Sequence, residues 1–238
     1  MRNPIPFEST APAQAQVRVN AFVRGVYNWM AIGLGLTAVT AFFVAGSETL
    51  LRLIFGNPIV FFGLIIGELA LVFSIASRVH RMRAVTATNL FMLYAVLNGA
   101  TLSAIFIRYT MSSIASTFFV CAVTFLAMSV YGWTTKKDLT SWGSFLFMGL
   151  IGIIVASVVN LFVQSSAVAM IVSYIGVLVF VGLTAYDTQK IKQMAISQPA
   201  GIDGAAVRKG SILGALTLYL DFVNLFLMLL YIFGGSRD

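Results

Sequence analysis

Charged residues, cysteine and histidine are scarce in this sequence, and each shortage excludes a class of protein. Only 10% of the 238 residues are charged and 59% are hydrophobic, whereas soluble domains carry about 25% charged residues. Cys121 is the only cysteine and His80 the only histidine. An internal disulfide and a cysteine metal cluster are therefore excluded, and a histidine-based catalytic triad or metal site is not expected. We predict neither an enzyme nor a bound cofactor.

Four long stretches contain no Asp, Glu, Lys or Arg: residues 25–47, 84–107, 109–135 and 139–186. A membrane span needs roughly 20 apolar residues, so the last stretch is long enough for two spans. In lipid, the backbone must form helices or a closed barrel, and these stretches lack the alternating polar residues of a barrel. The sequence therefore predicts an all-α integral membrane protein whose partner is the lipid bilayer.

Cutting the apolar stretches at charges and turn residues gives seven spans. They lie near residues 26–45, 58–77, 85–107, 113–134, 142–162, 168–186 and 212–233. The division between the fifth and sixth spans depends on the polar residues 164–166. We predict a single seven-helix membrane domain over residues 25–238, preceded by a short, mobile, polar cytoplasmic tail over residues 1–24. That tail has no apolar core, so it is not a cleaved signal peptide. Residues 197–209 are expected to form a flexible loop.

Basic residues are distributed unequally between the two sides of the predicted membrane domain. If the spans alternate, twelve of the fifteen basic residues lie on the side of the N-terminus, and the positive-inside rule places that side in the cytoplasm. Such clusters are first of all topology signals and lipid headgroup contacts, so no nucleic-acid partner is expected. The twelve are Arg2, Arg18, Arg24, Arg78, Arg81, Arg83, Lys136, Lys137, Lys190, Lys192, Arg208 and Lys209, and the other three are Arg52, Arg108 and Arg237.

Several small residues have the spacing of helix-packing positions. Gly149, Gly152 and Ala156 lie in the fifth span, and Gly63 and Gly67 in the second. Because small residues let helix backbones approach closely, we expect these positions to lie in contacts between helices.

Three acidic residues lie in the predicted spans, where a charge is costly and is a functional candidate by default. They are Glu68, Asp187 and Asp221. Helical spacing places Thr217, Asp221 and Asn224 on one face of the seventh helix. We take the three acids as candidates for an ion pathway, with Thr217 and Asn224 as auxiliary polar lining. The alternative is that a protonated Asp221 only hydrogen-bonds to a neighbouring helix and so serves packing.

Asp187 ends the sixth predicted span, one turn after Thr184, which is a further candidate for polar lining. The sixth and seventh helices form an antiparallel hairpin centred near residue 204, and residues 187 and 221 are equally far from that centre. Equal distance predicts similar depth, so the two carboxylates are expected to face each other. Lys190 and Lys192 indicate a shallower position for Asp187, although long lysine side chains can snorkel to the interface.

Glu68 lies ten residues before Arg78 in the second span, which is about 15 Å along a helix. That depth is comparable to the depth of Asp221. Arg78 is at the level of Asp187, which makes it a candidate movable counter-ion; the alternative is a topology anchor.

Two segments resemble a known family. GLTAYDTQKIKQM, residues 182–194, and the terminal LYLDFVNLFLMLLYIFGG, residues 218–235, strongly resemble the Bax inhibitor-1 family, also called the transmembrane Bax inhibitor motif family. The segment GELALVFSIASRVHRMR, residues 67–83, and the pair Asn98 and Gly99 are also similar to it. The similarity extends from about residue 24 to the C-terminus.

The resemblance implies a seven-helix fold, with the last helix surrounded by the other six, and a pH-sensitive calcium leak. It implies that Asp187 and Asp221 are the pH sensor and pore latch, that Arg78 is the gate, and that Glu68 is the acidic position of the second helix. Calcium is then the transported ion and is held only transiently by Asp187 and Asp221. Because the long basic C-terminal tail of animal members is absent, we expect the bacterial inner membrane rather than the endoplasmic reticulum.

Two neighbouring carboxylates in a low dielectric resist double ionisation, so the pair is expected to share a proton. Release of that proton leaves charge for calcium, water or Arg78 to neutralise, and so switches the protein between a latched and an open arrangement. Two alternatives stay open: a calcium/proton exchanger, and a non-transporting modulator of a membrane protease or another membrane complex. An intramembrane aspartyl protease is not expected, because neither Asp187 nor Asp221 follows a Gly-x-Gly motif.

Overall fold

The computed structural model describes residues 10–199 and 201–235, and every regular element in that part of the chain is an α-helix. Arg2 and Arg237, two of the basic residues counted in predicting the topology, lie outside the described residues. In chain order the helices are α1 (Thr10–Ala45), α2 (Glu48–Phe55), α3 (Pro58–Arg78), α4 (Ala84–Leu102), α5 (Ala104–Arg108), α6 (Met111–Thr134), α7 (Thr140–Val163), α8 (Ser166–Ile196) and α9 (Gly204–Phe233).

Seven segments of the described chain are long and apolar enough to cross a membrane: α1, α3, α4 together with α5, α6, α7, α8 and α9. The predicted number of spans is confirmed. The break between α7 and α8 lies at Gln164, whose φ of 53° is in the left-handed region. The Ser165 hydroxyl then caps α8 by accepting a hydrogen bond from the Val168 amide at 3.3 Å. The polar residues 164–166 therefore divide the longest apolar stretch, as predicted.

The first helix begins earlier than the sequence indicated. α1 starts at Thr10, so the predicted boundary between tail and membrane domain, at residues 24 and 25, falls inside a helix. Val19, Phe22 and Val26 recur at helical spacing and are buried. Phe22 packs on Gly210 of α9, where an added Cβ would lie 3.0 Å from its ring. Because this face is buried against the bundle, α1 extends beyond the apolar stretch, even though charged residues lie in this part of the sequence.

The hairpin formed by α8 and α9 is also longer than predicted. α8 ends at Ile196 rather than at residue 186, and α9 begins at Gly204, so the expected loop is reduced to residues 197–203. The Gln189 amide holds the α6–α7 loop by donating to the Lys137 carbonyl at 2.9 Å and accepting from the Leu139 amide at 2.8 Å. Lys192 donates to the Trp133 carbonyl at 2.6 Å. Because these polar side chains are satisfied by the bundle, they do not end the helix.

The last helix is central, as the family resemblance implied. α9 packs against α1, α3, α4, α6 and α8, and α7 packs on α8. Half of the residues in an apolar 18-residue segment of α9 are buried. A helix that is apolar nearly all round is suited to burial on all sides.

Several basic segments meet at one end of the bundle. Lys209 donates to the His80 carbonyl at 3.0 Å, and Arg208 donates to the Thr88 hydroxyl at 3.1 Å. The start of α9 therefore holds the α3–α4 loop at the same end as the α6–α7 loop. This agrees with alternating spans, while the cytoplasmic location of that end stays a prediction.

Candidate functional site

Asp187 of α8 and Asp221 of α9 lie side by side in the bundle. Their carboxyl groups are in hydrogen-bonding contact, and the residues are only 8% and 5% exposed. Oδ2 of Asp221 is fully buried and receives no hydrogen bond from an N–H or hydroxyl group of the described residues. Two carboxylates can hydrogen-bond to each other only when one of them holds a proton. The two carboxyl groups are therefore close enough to share a proton.

Glu68 of α3 is held by a polar network that crosses the bundle. Asn98 donates to its carboxylate at 3.2 Å, and Thr101 donates at 2.5 Å. The Tyr219 hydroxyl donates to Oδ1 of Asn98 at 2.9 Å and lies 2.6 Å from the Thr37 hydroxyl. A chain of side chains thus connects Glu68 with the central helix and α1.

Replacement of Tyr219 by phenylalanine should destabilise the protein by about 1–3 kcal/mol, because it leaves a buried amide oxygen without its donor. Tyr219 is fully buried, whereas Tyr174 is 55% exposed, so Tyr174→Phe is a matched control. Thermal unfolding in detergent should show a lower Tm for Tyr219→Phe and no change for the control. Equal Tm values for the two variants would show that the Tyr219 hydroxyl contributes nothing to stability.

A cavity of about 720 Å³ brings the three acids together. Its walls come from α3, α4, α7, α8 and α9, so residues far apart in the sequence line one space in the membrane region. The polar lining described by the sequence analysis is largely present: Glu68, Asp187, Asp221, Thr217 and Asn224 all face this cavity. Glu68, predicted only from its depth in the second span, therefore lines the same cavity as the aspartate pair.

Lys190 is the cation that the structure places at this site. It lines the cavity and interacts electrostatically with Asp187. Its ammonium nitrogen lies 6.0 Å from the centre of the Tyr186 ring. In the sequence, Lys190 indicated only a position near the membrane interface. The signal that could have identified it is its position three residues after Asp187, because residues at that spacing share a helix face.

Arg78 and Thr184 are not brought to the cavity. Arg78 is exposed at the end of α3, and the ion pair that the described residues form is the one between Arg52 and Glu48. The role of Arg78 as gate stays a prediction that this arrangement does not support. Thr184 is fully buried and donates to the Phe180 carbonyl at 2.7 Å, because a hydroxyl in an apolar helix bonds back to the preceding turn.

The described residues contain no cluster of three or more acidic, cysteine or histidine side chains close enough to hold a metal ion together. A cation bound by Asp187 and Asp221 would need further oxygen ligands, and the cavity offers Thr217, Asn224 and room for water. Calcium prefers six to eight oxygen ligands. A calcium ion at this site would therefore share its coordination among the two aspartates, these neutral side chains and water.

Seven membrane-length helices around a central helix, with an ionisable site in the middle, define this chain as a polytopic helical membrane protein of the channel or transporter type. The chain belongs to the family described as "Inhibitor of apoptosis-promoting Bax1", whose model matches residues 19–238. The resemblance found in the sequence segments is confirmed.

Bacterial relatives match nearly the whole chain. It is 53% identical to the inner membrane protein YbhL of Escherichia coli, over 96% of this chain and 97% of that protein. It is 48% identical to a protein of Rickettsia prowazekii, over 90% and 89%, and 44% identical to one of Deinococcus radiodurans, over 93% of each. The predicted location as a multi-pass protein of the bacterial inner membrane is confirmed.

Proposed function

We propose that this protein is a pH-sensitive, calcium-permeable leak channel controlled by the aspartate pair of α8 and α9. The observation that carries the proposal is the convergence of Glu68, Asp187 and Asp221 on one cavity, with the two aspartates in contact. Buried acids in a membrane bundle are typical of ion and proton pathways. Calcium and protons are the two partners that such a site would take.

The shared proton is the latch in this proposal. While it is present, it joins α8 to α9; when it leaves, two negative charges repel each other and attract a cation. The other titratable groups facing the cavity are Glu68, Lys190, Tyr94 and Tyr186. Lys190 is attracted to the same released charge, so calcium competes with it for Asp187. Incomplete coordination then favours passage, because a tightly held ion would not leave.

Calcium entry into proteoliposomes containing the purified protein tests this proposal. Entry should exceed that into protein-free liposomes and should increase as the pH is raised, because the pair then loses its proton. A leak should show no fixed ratio of calcium to protons. A fixed ratio, with protons moving against an imposed calcium gradient, would establish an exchanger instead. Absence of flux at every pH would contradict both and favour a modulator of another membrane protein.

A further inference from the structure

The cavity is much larger than a calcium site requires. Calcium is enclosed by oxygen atoms at about 2.3–2.6 Å, whereas this space measures about 720 Å³, and nine of its twenty lining residues are aliphatic or phenylalanine side chains. Pockets of roughly 300–1,000 Å³ with apolar walls and a few polar groups are the usual sites of organic ligands. The dimensions and lining therefore fit a larger ligand that has apolar surface of its own.

The polar groups of the cavity favour a ligand that carries positive charge. Three carboxyl groups face the space and only one amine, that of Lys190. Asp221 is only 5% exposed, and its Oδ2 atom has no donor among the described residues. Carboxyl groups in the wall of a largely apolar cavity attract a cationic group, and Asp221 is one of them. An anionic ligand would be repelled from the same position.

Lys190 shows how the site recognises an ammonium group. Its side chain is largely exposed, yet it interacts with the Asp187 carboxylate and lies 6.0 Å from the centre of the Tyr186 ring. A carboxylate combined with an aromatic face is the arrangement by which alkylated cations are bound. Lys190 is thus a cation of the protein itself near this carboxylate and ring, and a free organic cation would compete with it.

The wall formed by α3 has an exposed apolar outer surface. Only 6% of the residues in an apolar 18-residue segment of α3 are buried. Ile66, Leu69 and Phe73 on its surface are each more than half exposed. Leu69 belongs both to this exposed surface and to the cavity lining. In the proposal below, α3 is therefore the side from which a hydrophobic cation dissolved in the membrane would enter.

We propose that this cavity binds a hydrophobic monovalent organic cation. Its apolar groups contact Phe147, Phe180 and Leu183, and its charge lies against Asp221 and Glu68, which line the same space. This binding does not depend on calcium conduction. It uses the same carboxylates, however, so a bound cation blocks calcium at the site.

Binding of tetraphenylphosphonium to the purified full chain in a non-ionic detergent tests the proposal. Tetraphenylborate is the matched probe, because it has the same shape and the opposite charge. The cation should bind saturably and the anion should not. Asp221→Asn should weaken binding of the cation by about tenfold or more, as expected when a charged partner worth about 1.5–3 kcal/mol is lost. Lys190→Gln should tighten it by about two- to fivefold, because the tethered competitor is removed.

The control is Asp203→Asn, which changes an exposed acid at the start of α9 and should leave binding unchanged. Glu68→Gln provides a second test in the cavity, and the Tm of each variant shows whether it is folded. No saturable binding by the parent protein, or equal binding of the two tetraphenyl ions, would overturn the proposal. The proposal would also be overturned if folded Asp221→Asn and Glu68→Gln proteins bound the cation as tightly as the parent protein does. Calcium flux is measured separately, so failure of cation binding would leave the proposed calcium leak standing.

Discussion

Replacement of Asp221 by asparagine should reduce calcium flux at neutral pH by about ten- to hundredfold and remove its dependence on pH. Asparagine has nearly the same shape but cannot ionise, and its amide can donate a permanent hydrogen bond to Asp187, its neighbour in the bundle. The latch between α8 and α9 is then held closed at every pH. The magnitude corresponds to losing a charged partner worth about 1.5–3 kcal/mol, at about 1.4 kcal/mol for each factor of ten.

The test compares calcium flux in proteoliposomes for aspartate-to-asparagine variants at positions 187, 221 and 203. Asp187→Asn should behave like Asp221→Asn, and the double variant should be no worse than either one, because the two residues act as a unit. Asp203→Asn lies outside the cavity and should conduct like the parent. The diad mechanism is wrong if folded Asp187→Asn and Asp221→Asn proteins both keep the parent's flux and pH profile.

The fold was largely predictable from the sequence because the membrane makes a simple demand. Seven apolar stretches of sufficient length give seven spans, and the polar residues 164–166 were enough to divide the longest stretch. The helix ends were harder to predict. Charges at Arg18 and Lys190 indicated interfaces, but α1 and α8 continue through them, because their opposite faces remain packed in the bundle.

The site was predictable only where helix geometry determines it. Asp187 and Asp221 could be placed together because they are symmetric about the α8–α9 hairpin, and their contact follows from that symmetry. The position of Lys190 beside Asp187 and the link from Tyr219 to Glu68 depend on side-chain directions and on helices distant in sequence. The periodicity of a single sequence specifies neither these side-chain directions nor which distant helices meet. The level of Arg78 was read from the sequence, but not the direction in which its side chain points.

Packing glycines illustrate the same limit. Gly63 and Gly152 have suitable spacing, yet an added Cβ at either would meet no atom within 4 Å, so they are not in close helix contacts. Close approach does occur at Gly149, as predicted, where a Cβ would lie 2.9 Å from the Val179 side chain, and it occurs also at Gly99 and Gly132, which the spacing did not indicate. At Gly99 a Cβ would lie 2.6 Å from the Thr37 carbonyl oxygen. Spacing identifies which residues share a face, but not which face meets another helix.

Gly132→Ala should therefore destabilise the protein by about 1–3 kcal/mol or more, the usual cost of overpacking. A Cβ at Gly132 would overlap the Ala185 carbonyl oxygen and lie 3.0 Å from its Cα atom. Backbone cannot rotate away as a flexible side chain can, so α8 must move. Ala185 precedes Asp187 by two residues, and displacement of α8 should also disturb the carboxyl pair.

Gly152→Ala is the control with the opposite sign. Alanine is about 1 kcal/mol better than glycine inside a helix, and Gly152 has open space around it, so this variant should be as stable as the parent or more stable. Thermal unfolding in detergent gives the stability, and the flux assay gives the pH profile. Gly132→Ala should lower the Tm and alter the profile, while Gly152→Ala should leave the profile unchanged. If Gly132→Ala raised the Tm as Gly152→Ala does, α6 and α8 could not be in backbone contact at this point, and the position of Asp187 in the bundle would have to be revised with them.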